Sequence, residues 1–141
     1  VRSIGSVLLA LAATLLLVAG IVFGLHDTGV MVPPPESVCE GFVRALAGTR
    51  YERALPYLSD ELRTTVSAGT LRDYSARLND RLGDIIDIQG ESGWEKGDSA
   101  EASVMLLSRS VGVRTLRFPL SRGDGGLWAI AALDTTSPAL R

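Results

Sequence analysis

The chain holds one histidine, one cysteine and one lysine among its 141 residues, and aromatic side chains make up only 6% of it. One His and one Cys supply neither a zinc cluster, nor a disulfide framework, nor a Cys-His nucleophile with ligands in reserve. Excess charge of either sign is missing too: 14 basic and 16 acidic side chains leave a net charge of -2. A general nucleic-acid binder needs a basic face, and this balance does not provide one. No cofactor or metal motif can be read. At this length a second domain of ordinary size does not fit.

Apolar residues are plentiful, and they are unevenly placed. The mean hydropathy of +0.23 hides a steep gradient. Ile4 to Leu25 is a run of 22 residues without one ionisable side chain. As a helix rising 1.5 Å per residue, it matches the roughly 30 Å hydrocarbon core of a bilayer and satisfies its own backbone. A cleavable signal has a shorter apolar region followed by a small-x-small site. Here Ala10-Leu11-Ala12 falls inside the run, so residues 1–25 are read as a retained single-pass anchor. Arg2 on one flank and His26-Asp27 on the other put the N-terminus in the cytoplasm and the rest in the periplasm or outside the cell. Gly20 and Gly24 have small-xxx-small spacing, a helix-packing face toward other membrane subunits. Beyond the anchor the chain carries 13 basic and 16 acidic side chains, a net charge of -3.

Residues 26–35 end in Pro33-Pro34-Pro35 and read as a semi-rigid spacer of polyproline type. Residues 36–134 read as a folded domain, and residues 135–141 as a mobile end. Ser37-Val38-Cys39-Glu40 has the form of a capping box, followed by apolar Cys39, Phe42, Val43 and Leu46, with Gly48 as the C-terminal stop. Tyr51 to Leu58 predicts a short helix distorted by Pro56, and Ser59-Asp60-Glu61 opens another. Thr70-Leu71-Arg72-Asp73 resembles a further capped start, with Leu71, Tyr74, Leu78 and Leu82 as its apolar stripe up to Gly83.

After Gly83 the period changes from helical to two. Strands are predicted over Asp84–Gln89, Ser99–Ser108, Val113–Ser121 and Leu127–Leu133, with turns near Gly97, Gly112 and Gly123-Asp124-Gly125-Gly126. Turn-linked neighbours imply an antiparallel meander. Pro119 points to an edge or a bulge. Placing Ile86 and Ile88 toward the core puts Asp87 on the opposite face.

Helices first and a four-stranded antiparallel sheet second is an order that resembles the nuclear transport factor 2-like (SnoaL-like, cystatin-like cone) superfamily. Phe42-Val43-Arg44-Ala45-Leu46-Ala47-Gly48 followed by Tyr51-Glu52-Arg53-Ala54 is similar to the opening of those domains. Leu58-Ser59-Asp60-Glu61-Leu62-Arg63 is similar to their next helix entry, and Gly126-Leu127-Trp128-Ala129-Ile130 to their last strand. The resemblance implies an α+β cone, helices packed on a curved sheet, in a superfamily with many membrane-anchored bacterial members, including accessory proteins of envelope complexes.

Enzymes of the superfamily set an Asp, His or Tyr constellation inside the open cone. The candidates here are Asp84, Asp87, Tyr51, Tyr57 and Tyr74, and they map onto no isomerase or dehydratase motif. The one His, His26, lies at the membrane edge. Cys39 sits on an apolar stripe, where a thiol acts as a small hydrophobe. Trp128 reads as core. Trp94, beside Gly93 and charged neighbours, reads as an exposed docking contact. Arg109, Arg114, Arg117 and Arg122 are close in sequence, and Arg114 with Arg117 form a candidate docking pair on a sheet face. The expectation is a non-catalytic accessory subunit that meets other membrane proteins and the lipid bilayer, but no nucleic acid. An apolar-ligand module with a cavity lined by Tyr51, Tyr74 and Trp128 is the alternative. An enzyme on a small hydrophobic substrate comes third, and would need a buried carboxylate facing that cavity.

Overall fold

The computed structural model describes residues 32–137. The expected anchor, with Gly20 and Gly24, lies outside the described residues, as does most of the spacer. Among the described residues no helix is long and apolar enough to cross a membrane.

Helix α1 spans Pro35–Ala47. Its start is set by proline rather than by the expected capping box. Pro34 is the N-cap and Pro35 occupies the first turn, where a missing N–H costs nothing. Ser37 is already inside the helix. Val38, Cys39, Phe42, Val43 and Leu46 make the buried stripe. Gly48 keeps a negative φ of -82°, and the left-handed reversal falls on Thr49 at φ 59°. Helix α2 (Tyr51–Ala54) follows at once and runs into a 3-10 turn at Leu55–Tyr57, where Pro56 interrupts the helical ladder. Helix α3 (Asp60–Arg63) is capped by the Ser59 hydroxyl, which accepts from the Leu62 N–H. Helix α4 spans Ala68–Leu82 and begins earlier than its sequence suggests. Ser67 is the N-cap, and Thr70 is the third residue of a reciprocal capping box rather than the cap itself.

Four strands form one antiparallel sheet in the order β1-β2-β3-β4, as the meander reading required. They are β1 (Ile85–Lys96), β2 (Ser99–Ser108), β3 (Gly112–Arg122) and β4 (Trp128–Ile130). Strand β1 is twice the expected length, because Gly90 and Gly93 are strand residues here and not turn residues. A side chain at Gly90 would overlap the Glu36 carbonyl of α1, so glycine is what lets the helix lie directly on the strand. Gly93 lies at a register irregularity between Ser92 and Trp94. A second irregularity between Ile85 and Asp87 turns Ile86 out of the core, leaving it 51% exposed. That corrects the inward placement of Ile86. Ile88 is buried and Asp87 exposed, as alternation demands.

One face of the sheet carries Ile88, Ala100, Ala102, Val104, Leu106, Leu116, Phe118, Leu120, Trp128 and Ile130, all buried. The stripes of α1 and α4 cover it. The Phe42 and Phe118 rings meet edge to face at 5.7 Å, and each fully buried side chain of this size contributes roughly 1.5–3 kcal/mol. Helix α1 also closes part of the β1 edge. Arg44 donates to the Ile88 carbonyl at 2.6 Å, and Glu40 accepts from the Gly90 N–H at 3.1 Å.

The segment after β4 straps the part of β3 that β4 is too short to reach. Ala131 N–H donates to the Pro119 carbonyl at 2.8 Å, an Asp134 carboxylate oxygen accepts from the Arg117 N–H at 2.9 Å, and the Ser137 hydroxyl donates to the Thr115 carbonyl at 2.8 Å. Pro119, which lacks an N–H, sits where β4 has ended, on the edge its type requires. Residues 135–137, expected to belong to a mobile end, are thus tied to the sheet. Residues 138–141 lie outside the described residues.

Candidate functional site

Whether the cone is open decides among the three functional classes, so its interior comes first. Phe42, Phe118, Tyr74, Leu46, Leu71, Leu82 and Leu116 fill it, each almost fully buried. The Tyr74 hydroxyl is spent on the Asp134 carbonyl at 2.9 Å, and burial, followed by the Asp134 charge, pushes its pKa up. At the mouth Arg122 lies over the Trp128 ring, 4.5 Å from its centroid, and pairs with Glu95 at 3.1 Å. This charged lid leaves Trp128 only 6% exposed. Tyr51, Tyr74 and Trp128 therefore do not line a common cavity. Tyr51 faces a groove on the outside of the helices, under Arg72 at 5.8 Å.

The candidate catalytic groups do not converge either. Asp84 pairs with Arg109 at 3.3 Å on the surface. Asp87 accepts from the backbone N–H of Ile88. The Tyr57 ring lies against Gly41. Every Asp and Glu among the described residues is exposed or half-buried. Cys39 is fully buried, and burial, then the Glu36 charge, pushes its thiol up to about 12. A thiol so held is a core group and a poor nucleophile. Among the described residues no group of three His, Cys, Asp or Glu gathers in a way that could hold a metal.

Among the described residues no helix lies on the opposite face of the sheet, whose side chains are exposed or half-buried. Register fixes its rows. Asp87, Leu107 and Val113 align across β1, β2 and β3, followed by Gln89, Met105 and Thr115, then Glu91, Ser103 and Arg117, and finally Trp94, Glu101 and Pro119. Trp94 belongs to this face because the irregularity at Gly93 shifts its parity; it is 52% exposed. Between this face and the C-terminal strap runs a groove of about 660 Å³, lined by Glu101, Val113, Arg114, Thr115, Arg117, Pro119 and residues 132–137. Trp94 and Arg117 thus come within one row of each other. Arg114 has the opposite parity but still lines the groove at the sheet end, its guanidinium on the Val113 carbonyl at 2.9 Å.

The four arginines close in sequence do not form one patch. Arg109 and Arg122 are in ion pairs, Arg122 at the cone mouth, and only Arg114 and Arg117 share the groove. A different set had no local signal. Arg50, Arg53 and Arg72 line one groove of about 490 Å³ between α2 and the start of α4. Arg50 and Arg53 have helical i, i+3 spacing, but the third member is brought in by packing alone.

Comparison with solved structures places this architecture. The chain is similar to a Campylobacter jejuni protein named "Putative NTF2-like transpeptidase", with 24% identity and a TM-score of 0.54, over 70% of this chain and 97% of that one. It is similar also to a SEC-C motif containing protein from Rhodopseudomonas palustris, with 16% identity and a TM-score of 0.54, over 70% of this chain and 75% of that one. Identities this low speak for the fold alone, and the fold is NTF2-like. No protein-family model and no curated protein matches the chain.

Proposed function

We propose that the chain is a membrane-anchored, non-catalytic accessory subunit of a larger membrane complex. Its domain lies on the extracytoplasmic side and docks through the open sheet face, while the Gly20/Gly24 face packs against another transmembrane helix. The observation that carries the reading is Trp94. A half-exposed Trp opposite Glu101, in one row with Pro119 and one row from Arg117, has the anchor-and-rim composition of a protein contact. The filled cone weighs against the apolar-ligand alternative, which needs volume where Phe42 and Phe118 meet. The name of the Campylobacter protein belongs to that protein. Here transpeptidation would need an accessible activated nucleophile, and Cys39 has neither the exposure nor the ionisation.

Blue-native electrophoresis of gently solubilised membranes tests the reading. The expected result is migration well above the 15.0 kDa chain, with copurifying membrane proteins that are lost in a W94A/R117E variant. Migration of the native protein as a free 15.0 kDa species with nothing copurifying overturns it.

A further inference from the structure

The groove between α2 and α4 lies away from the sheet and plays no part in the docking surface. Its lining is Thr49, Arg50, Tyr51, Glu52, Arg53, Ala68 and Arg72, so three guanidinium groups face one carboxylate. None of the three arginines is in an ion pair among the described residues, although Arg44, Arg63, Arg109 and Arg122 are. Glu52 is within the groove and still takes none of them as a partner.

The backbone fixes the points from which these side chains extend. Thr49, with its left-handed φ of 59°, reverses the chain between α1 and α2, and Arg50 N–H is fixed on the Ala45 carbonyl at 2.8 Å. The Arg50 carbonyl then accepts from Arg53 and Ala54 at 3.0 and 3.1 Å, so Arg50 and Arg53 stand one turn apart on a rigid step. Arg72 comes from α4 and lies over the Tyr51 ring, 5.8 Å from its centroid, a cation–π contact that leaves its N–H donors available. Ala68, the first residue of α4, brings the positive end of a fifteen-residue helix to the same rim.

Three forks without carboxylate partners, one of them over an aromatic ring, and a helix N-terminus suit a multidentate oxyanion. We infer that the Arg50/Arg53/Arg72 groove is a binding site for a phosphate group, whether carried by a small molecule or by a lipid headgroup. Guanidinium forks match phosphate oxygens bidentately, and a terminal phosphate offers three oxygens to the three forks where a carboxylate offers two.

The test is calorimetric titration of the full chain in uncharged maltoside micelles, first with inorganic pyrophosphate and then with short-chain phosphatidylglycerol. Saturable binding of either supports the site, and the arm that saturates identifies the source of the phosphate. The triple variant R50Q/R53Q/R72Q should bind at least about tenfold more weakly through loss of charge-assisted contacts. The control R77Q/R81Q/K96Q removes the same charge from exposed positions elsewhere and should stay within about threefold of the native affinity. No saturable binding in either arm overturns the inference, as does equal weakening in both variants.

Discussion

One sheet separates two environments in this domain, and strand alternation assigns each side chain to one or the other. The inner face carries Val104, Leu106, Leu116, Phe118 and Ile130 against two helical stripes, at essentially no exposure. The outer face, one residue out of step on the same strands, carries Glu101, Ser103, Met105, Thr115 and Arg117, with no helix above it among the described residues. The backbone is the same for both, so the difference in burial is purely one of side-chain partners. Stability resides on the first face. The second is free to change its chemistry at little cost to the fold, which suits the docking role proposed for it.

This contrast can be broken from either side. The largest effect is expected from Phe118→Ala, which empties the centre of the inner face and removes the contact with Phe42. A loss of about 3–5 kcal/mol is expected in urea unfolding, with an unchanged m-value. Next comes Asp134→Ala, which acts on the boundary between the faces by removing the acceptor of the Arg117, Thr136 and Ser137 N–H groups. About 1–2 kcal/mol is expected, with faster hydrogen exchange at Arg117 and proteolysis opening within residues 131–137. The smallest effect on stability is expected from Trp94→Ala, within about 0.5 kcal/mol of native, because the residue is already half open to solvent on the face away from the core. If Trp94→Ala instead costs as much as a core substitution, the division of roles between the faces is wrong.

Much of this was legible from residues alone, for identifiable reasons. Strand β2 could be bounded correctly because Ala100, Ala102, Val104 and Leu106 alternate strictly and face a continuous core. The stripe of α4 ends at Gly83, whose φ of 66° marks the stop that the glycine signalled. The far half of β1 was hidden because its glycines serve tertiary contacts. Gly90 admits a helix and Gly93 a register shift, and both look like turn residues locally. The α1 start was misassigned because Ser37 and Glu40 have capping spacing, while Pro34 and Pro35 have the stronger backbone preference. The exposure of Trp94 was legible from its polar neighbours. The arginine groove was not, since Arg72 reaches Arg50 and Arg53 only through the packing of α4 on α2. The strap was missed because Asp134 and Ser137 pair through side chains, which leaves no periodic pattern to detect.

The irregularity at Gly93 reaches further than the bend it makes. Ser92 lies opposite Ala102 and Trp94 opposite Glu101, so Gly93 is one residue more than the partner strand supplies. A side chain there would overlap the Glu101 carbonyl, and glycine is what lets the extra residue stay in the strand. Straightening the strand with all its residues kept would give position 94 the parity of Ile88 and Gly90, turning the indole toward the helices and Glu95 away from Arg122. Deleting Gly93 would instead leave Ser92, Trp94 and Glu95 in regular alternation, each on its present face. The outward Trp94 and the Glu95–Arg122 pair therefore tolerate the loss of residue 93 better than its replacement by a larger one.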